Sequence, residues 1–225
     1  RERFPTRPLM AIGFSLGGNI LLKYLGERGA KKTATFSAAV AISVPYDLSA
    51  GAEALERRGM ARIYAGYFLR SLLAKVRSKR EILANILDLD TVLASTTIRD
   101  FDEAATSKLH GFAGAEDYYR KSSSNRFIQA VRVPTLLLHA RNDPFLPSSA
   151  LPLSAIEANP SLTLVLTDGG GHVGFLEGGP PWNPASWVEK QSASFLAHHR
   201  QDVPATTSDA NPIAPGWVDP NTENI

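Results

Sequence analysis

Along this chain, short and wholly apolar runs alternate with longer stretches whose apolar residues recur at helical spacing. Leu9-Met10-Ala11-Ile12, preceded by Pro5 and Pro8, reads as a strand buried on both faces, the pattern of a parallel sheet. Ile20, Leu21, Tyr24 and Leu25 then form one helix face, and Gly26 and Gly29 are expected to end that helix. Ala38 to Val44 predicts a second strand stopped by Pro45, Thr135 to Leu138 a third, entered through Val133-Pro134, and Leu162 to Leu166 a fourth. The last helix is expected to start at Asn183-Pro184, an N-cap followed by proline at the first helical position, and to carry Trp187, Val188, Phe195 and Leu196. Strands separated by helices require crossover connections, so the predicted class is α/β, with a mostly parallel sheet covered by helices.

Between the second and third strands, from about residue 47 to 127, the pattern holds helices and no strand. This insertion is expected to form a helical cap laid over the end of the sheet. Met60, Ile63, Tyr64, Tyr67, Phe68, Leu72 and Val76 have the spacing of one apolar helix face. Around that face stand Arg57, Arg58, Arg62, Arg70, Lys75, Arg77, Lys79 and Arg80. The preferred reading is a cap helix with its apolar face on the active site and its charges in water. The alternative is peripheral contact with an anionic membrane surface. Residues 201–225 turn to Pro, Asn, Thr and Asp, and that tail is expected to be disordered. Residues 1–200 therefore form the expected folded domain, and no internal repeat is visible.

Composition narrows the chemistry. With 44% hydrophobic and 20% charged residues among 225, the chain has enough apolar side chain for a substantial core. Cysteine is absent, which removes thiol nucleophiles, zinc-thiolate sites and disulfides. The 24 Lys+Arg against 22 Asp+Glu leave a net charge of +2, too weak a field to argue for nucleic-acid binding. No apolar run approaches the ~18 residues that a membrane span needs. There is no phosphate-binding loop, dinucleotide fingerprint or His/acid metal spacing, so no cofactor and no metal are expected. The compartment is not readable from the sequence; the cytoplasm is the favoured expectation and peripheral membrane association the alternative.

The most informative residues are Gly13-Phe14-Ser15-Leu16-Gly17, a G-x-S-x-G between a predicted strand and a predicted helix. That setting holds a serine hydroxyl at the tip of a sharp, strained turn. The N-terminus of the new helix points at the same spot, so that backbone N–H groups, Leu16 first among them, can meet a developing oxyanion. A serine is a poor nucleophile at neutral pH and needs a histidine base and an orienting acid. His172 follows Gly169-Gly170-Gly171 just beyond the last predicted strand, at the same sheet edge as Ser15. His198 and His199 close the final helix, His139 reads as a core residue of the third strand, and His110 is a weaker rival within the cap. For the acid, Asp143 comes directly after the third strand, and Asp47, after the second, competes with it. The order Ser, Asp, His favours Asp143.

Gly13-Phe14-Ser15-Leu16-Gly17-Gly18-Asn19, Val44-Pro45-Tyr46-Asp47-Leu48, Asp117-Tyr118-Tyr119, Arg141-Asn142-Asp143-Pro144-Phe145 and Gly170-Gly171-His172-Val173-Gly174-Phe175 together resemble the YheT-like branch of the alpha/beta-hydrolase domain-containing proteins. The resemblance runs from about Arg7 to His199 and implies an α/β-hydrolase fold and a serine hydrolase of carboxylic esters or lipid esters. It places the nucleophile on Ser15, the acid on Asp143 and the base on His172. Family members also carry, ahead of the elbow strand, further strands and a His-Gly-type loop with a second oxyanion donor. The chain is therefore expected to be the carboxyl-terminal part of a larger enzyme, weakly active or inert alone, since losing one such donor costs about 10²–10³ in turnover. The competing expectation is a non-catalytic binding or interaction module.

Overall fold

The computed structural model describes residues 8–33, 35–57, 59–146, 148–180 and 184–200. They divide into two compact units. The first, built from the described residues before Pro45, from Ser124 to Asp143 and from Ser148 on, holds a four-stranded parallel sheet. Its strands are β1 (Met10–Phe14), β2 (Ala38–Ile42), β3 (Thr135–Ala140) and β4 (Leu162–Thr167), hydrogen-bonded in that spatial order. The register pairs Phe14 with Ile42, Ile42 with Leu138, and Leu138 with Val165.

Alternation along β2 explains why every one of its residues is buried. Successive side chains point to opposite faces. Ala38, Val40 and Ile42 join Leu136, Leu138, Val188 and Phe195 on one side, and Ala39 joins Leu21, Leu25, Val131 and Val133 on the other. The two layers come from helix α1 (Leu16–Ala30) and from a carboxyl-terminal helix (Trp187–His198). Each large side chain removed from water this way contributes about 1.5–3 kcal/mol.

Local boundaries differ from the sequence pattern in instructive ways. β1 is shifted to Met10–Phe14, β2 stops at Ile42, short of Pro45, and β3 and β4 run on to Ala140 and Thr167. Gly26 and Gly29 do not end α1, which continues to Ala30. A Cβ on Gly26 would lie 2.5 Å from the carbonyl oxygen of Phe127, so this glycine admits a close backbone approach. The final helix starts at Trp187, with the Ser186 hydroxyl accepting from the Glu189 N–H. Pro184 precedes it, ahead of a short antiparallel pair, Leu176–Glu177 with Ala185–Ser186, that no sequence pattern announced. Asn183 and the tail 201–225 lie outside the described residues.

The second unit comprises Pro45–Ser123 and Pro144–Leu146 and contains only helices among its described residues: α2 (Leu48–Glu56), α3 (Met60–Ser78), α4 (Arg80–Leu83), α5 (Leu89–Leu93), α6 (Ile98–Phe101), α7 (Ser107–Leu109) and α8 (Ala115–Ser122). It ends earlier than residue 127, because Ser124 donates its N–H to the buried Asn19 Oδ1 of α1 and so belongs with the sheet. Its core gathers Leu69, Leu73, Val76, Val92, Phe101 and Ala105. Between α6 and α7 a π-helical turn carries Asp102, which accepts from the Tyr119 hydroxyl at 2.7 Å and from Thr106 at 2.7 Å. The apolar face expected on α3 is buried only at its carboxyl end, where Val76 lies in the core and Leu72 packs against it. Ala61, Leu69, Leu73 and Val76 face the core, whereas Met60, Ile63, Tyr64, Tyr67 and Phe68 are exposed.

Candidate active site

Every group of the candidate site leaves the carboxyl end of a strand of the parallel sheet. β1 ends at Phe14 and α1 begins at Leu16, so Ser15 alone must reverse the chain. Its backbone sits at φ 49°, ψ −123°, a region that non-glycine residues rarely adopt and that costs about 1–3 kcal/mol. Surrounding hydrogen bonds hold it there. The Ser15 N–H donates to the Ile42 carbonyl at 2.8 Å, and the Ser15 carbonyl accepts from Gly18 N–H at 2.9 Å and Asn19 N–H at 3.2 Å. The turn can be this sharp because a Cβ on Gly13 would meet the Gly17 carbonyl oxygen at 2.6 Å, and one on Gly18 would meet Val44 Cγ2 at 2.7 Å. Leu16 and Gly17 open the helix, so their N–H groups precede its internal ladder.

The loop after β4 brings His172 to the serine. Its Nε2 lies 2.9 Å from Ser15 Oγ, and its Nδ1 lies 2.8 Å from Asp143 Oδ2. The Asp143 side chain is fully shielded from water and that of His172 is 16% exposed. A carboxylate shielded to this degree requires hydrogen-bonding partners, and the imidazole is one. The consistent arrangement has Nδ1–H donating to Asp143 and Nε2 accepting the Ser15 hydroxyl proton.

Two residues that sequence reasoning did not single out fix this loop. Ser43, fully buried at the exit of β2 with φ 49°, donates its hydroxyl to the His172 carbonyl. Asn142, beside Asp143, accepts the Gly171 N–H on Oδ1 at 2.9 Å. The glycine run is used in two ways. Gly171 adopts φ 58°, and at Gly170 a Cβ would meet the Phe175 ring at 2.6 Å. Asn142 was visible as part of the block around Asp143. For Ser43 no local signal existed, since its partner is 129 residues away.

The other candidates go elsewhere. Asp47 caps α2, its Oδ1 accepting from Ala50 N–H at 3.1 Å, and the carboxylate that meets His172 is Asp143. His139 is buried within β3, His110 follows α7, and His198 and His199 end the carboxyl-terminal helix. Among the described residues no cluster of three or more His, Cys, Asp or Glu could hold a metal ion.

The chain is similar to proteins whose names refer to phospholipase, lipase or esterase activity. It is 38% identical over 175 residues to Phospholipase ABHD3 of Mus musculus, covering 78% of this chain and 42% of that protein. It is 34% identical over 198 residues to YheT of Escherichia coli (strain K12), covering 87% and 57%. To the monoacylglycerol lipase of Saccharomyces cerevisiae it is 34% identical over 183 residues, covering 79% and 40%. The chain thus spans about two fifths to three fifths of the length of these relatives. The profile of the alpha/beta hydrolase fold matches residues 1–179, which include the whole sheet and the strand-turn-helix around Ser15. A parallel sheet with helices on both faces, a serine at the turn from its first strand into a helix and that match together make this chain a member of the alpha/beta hydrolase fold family.

Proposed function

We propose that this chain carries the nucleophile, base and acid of a serine hydrolase that cleaves carboxylic esters, lipid esters among them. The observation that carries the reading is the continuous relay from Ser15 Oγ to His172 Nε2 at 2.9 Å and from His172 Nδ1 to Asp143 Oδ2 at 2.8 Å. Ser15 Oγ attacks the ester carbonyl carbon while His172 Nε2 takes the hydroxyl proton. The negative charge that forms on the carbonyl oxygen faces the opening N–H groups of α1, with Leu16 N–H as donor. Collapse breaks the ester C–O bond, and the departing alcohol takes the proton from His172. Water then attacks the acyl-serine, giving its proton to the same nitrogen, and the acid leaves as Ser15 recovers its hydrogen. Asp143 keeps the imidazole in the required tautomer and balances its transient positive charge. The names of the phospholipase and monoacylglycerol lipase relatives support a lipid ester as substrate.

An alkyl fluorophosphonate reports an activated serine without knowledge of the substrate. Covalent labelling of Ser15, abolished by Ser15→Ala and strongly slowed by His172→Ala, is the expected result. A folded chain that reacts no faster than its His172→Ala variant would overturn the reading.

A further inference from the structure

The exposed side of α3 carries an apolar stripe that the helical unit leaves in water. Met60, Ile63, Tyr64 and Tyr67 follow one another at helical i, i+3, i+4, i+7 spacing, and Met60, Ile63 and Tyr67 are 56%, 64% and 63% exposed. The opposite side of the same helix is already spent on the core through Ala61, Leu69, Leu73 and Val76. Aromatic contacts stiffen the stripe: Tyr64 meets Phe145 edge-on at 5.1 Å, and Phe68 stands beside both tyrosines. Its flanks are cationic. Arg70, Lys75 and Arg77 are exposed, and α3 contains no acidic residue. Among the described residues no salt bridge engages these three cations.

We propose that this face of α3 docks in the plane of an anionic lipid surface, with Met60, Ile63 and Tyr67 in the acyl boundary and Arg70, Lys75 and Arg77 among the headgroups. Charge decides between a lipid surface and a second copy of the chain. Two copies meeting face to face would bring two sets of uncompensated cations together, whereas anionic headgroups neutralise them. Tyrosine suits the same location, its ring in the apolar layer and its hydroxyl at the polar boundary. A helix with large apolar residues between basic flanks is the pattern of in-plane membrane binding, and its strength combines apolar burial with attraction to anionic lipid. The inference goes beyond ester cleavage and does not depend on the Ser15 relay.

Co-sedimentation of the 225-residue chain with phosphatidylglycerol/phosphatidylcholine vesicles, and with pure phosphatidylcholine vesicles, tests it. Binding is expected on the mixed vesicles, weakened by salt, with each of Arg70→Gln, Lys75→Gln and Arg77→Gln lowering partitioning about fivefold. Ile63→Asp and Tyr67→Asp should abolish it, with helix content by circular dichroism unchanged because both residues are solvent-exposed. Lys31→Gln with Lys32→Gln, which removes exposed charge from the sheet unit, should leave binding as it was. Ser15→Ala should also bind normally, which separates this proposal from the proposed hydrolase function. Absence of binding to the mixed vesicles, equal binding to both vesicle types, or self-association in solution that Ile63→Asp and Tyr67→Asp dissolve would overturn the proposal.

Discussion

Replacing Ser43 by alanine should slow chemistry at a serine that it never touches. In the folded chain the Ser43 hydroxyl donates to the His172 carbonyl, and Ser43 is fully buried. Removing it leaves the His172 carbonyl without its donor. Such a loss costs about 1–3 kcal/mol when the acceptor stays out of water. The loop can escape that penalty by swinging its carbonyl to solvent, which also withdraws the imidazole from Ser15. If the penalty falls wholly on the competent arrangement, the ratio of molecules with His172 in place to those with it withdrawn drops by roughly five- to 150-fold, at a factor of ten per 1.4 kcal/mol. The second-order rate of fluorophosphonate labelling at Ser15 should fall, by up to that factor, while circular dichroism shows the fold retained. Ser43→Gly serves as a companion, because it removes the same hydroxyl while relieving φ 49°. It should lose labelling as Ser43→Ala does, yet melt higher than that variant. Unchanged labelling in both variants would refute the claim that this hydroxyl positions the base and reduce its role to packing.

Two further outcomes follow from the same geometry. Asp143→Asn should sharply slow fluorophosphonate labelling of Ser15, since an amide facing Nδ1 selects the wrong imidazole tautomer. Asp47→Asn should leave labelling near the original rate because asparagine still caps α2, and the reverse pattern would reassign the acid. Burial raises the Asp102 pKa against the opposing hydrogen bonds from Thr106 and Tyr119 and the charge of Arg99. Its folded pKa thus exceeds the unfolded one, so its favourable contribution is complete below the unfolded value and is lost as pH rises through the folded value. Asp102→Asn, which can still accept from Tyr119, should gain melting temperature relative to the parent at about pH 7 and lose that advantage near pH 4.

What could be read in advance was what local chemistry encodes. Gly13-Phe14-Ser15-Leu16-Gly17 announces its turn because the constraints on it, a strand behind and a helix ahead, lie within a dozen residues. His172 was legible through the glycines before it, two of which do use freedoms that other residues lack. Periodicity identified α3 and placed Leu72 and Val76 correctly at the core, but put Met60, Ile63, Tyr64, Tyr67 and Phe68 there too, because spacing reports that a stripe exists and is silent on what covers it. Met60, Ile63 and Tyr67 are larger than Ala61, yet the small residue is the one packed inside. Likewise Pro184 obeys a helix-start rule, but Ser186 supplies the cap, since the pairing of Ala185–Ser186 with Leu176–Glu177 keeps the chain extended until Trp187. Ser43 could not have been found, its meaning arising only when the loop after β4 folds back upon β2.

The turns after β1, β2 and β3, which carry Ser15, Ser43 and Asp143, remain tied to the ladder for one rung beyond their strands. Ser15 N–H donates to Ile42, Ser43 N–H to Leu138 and Arg141 N–H to Thr167, each at 2.8 Å. Their amides should therefore exchange with deuterium as slowly as those of the sheet interior, in contrast to ordinary surface loops. On heating, the turns of Ser15 and Asp143 should therefore lose their places only together with the sheet, whereas the loop that carries His172 can leave before it.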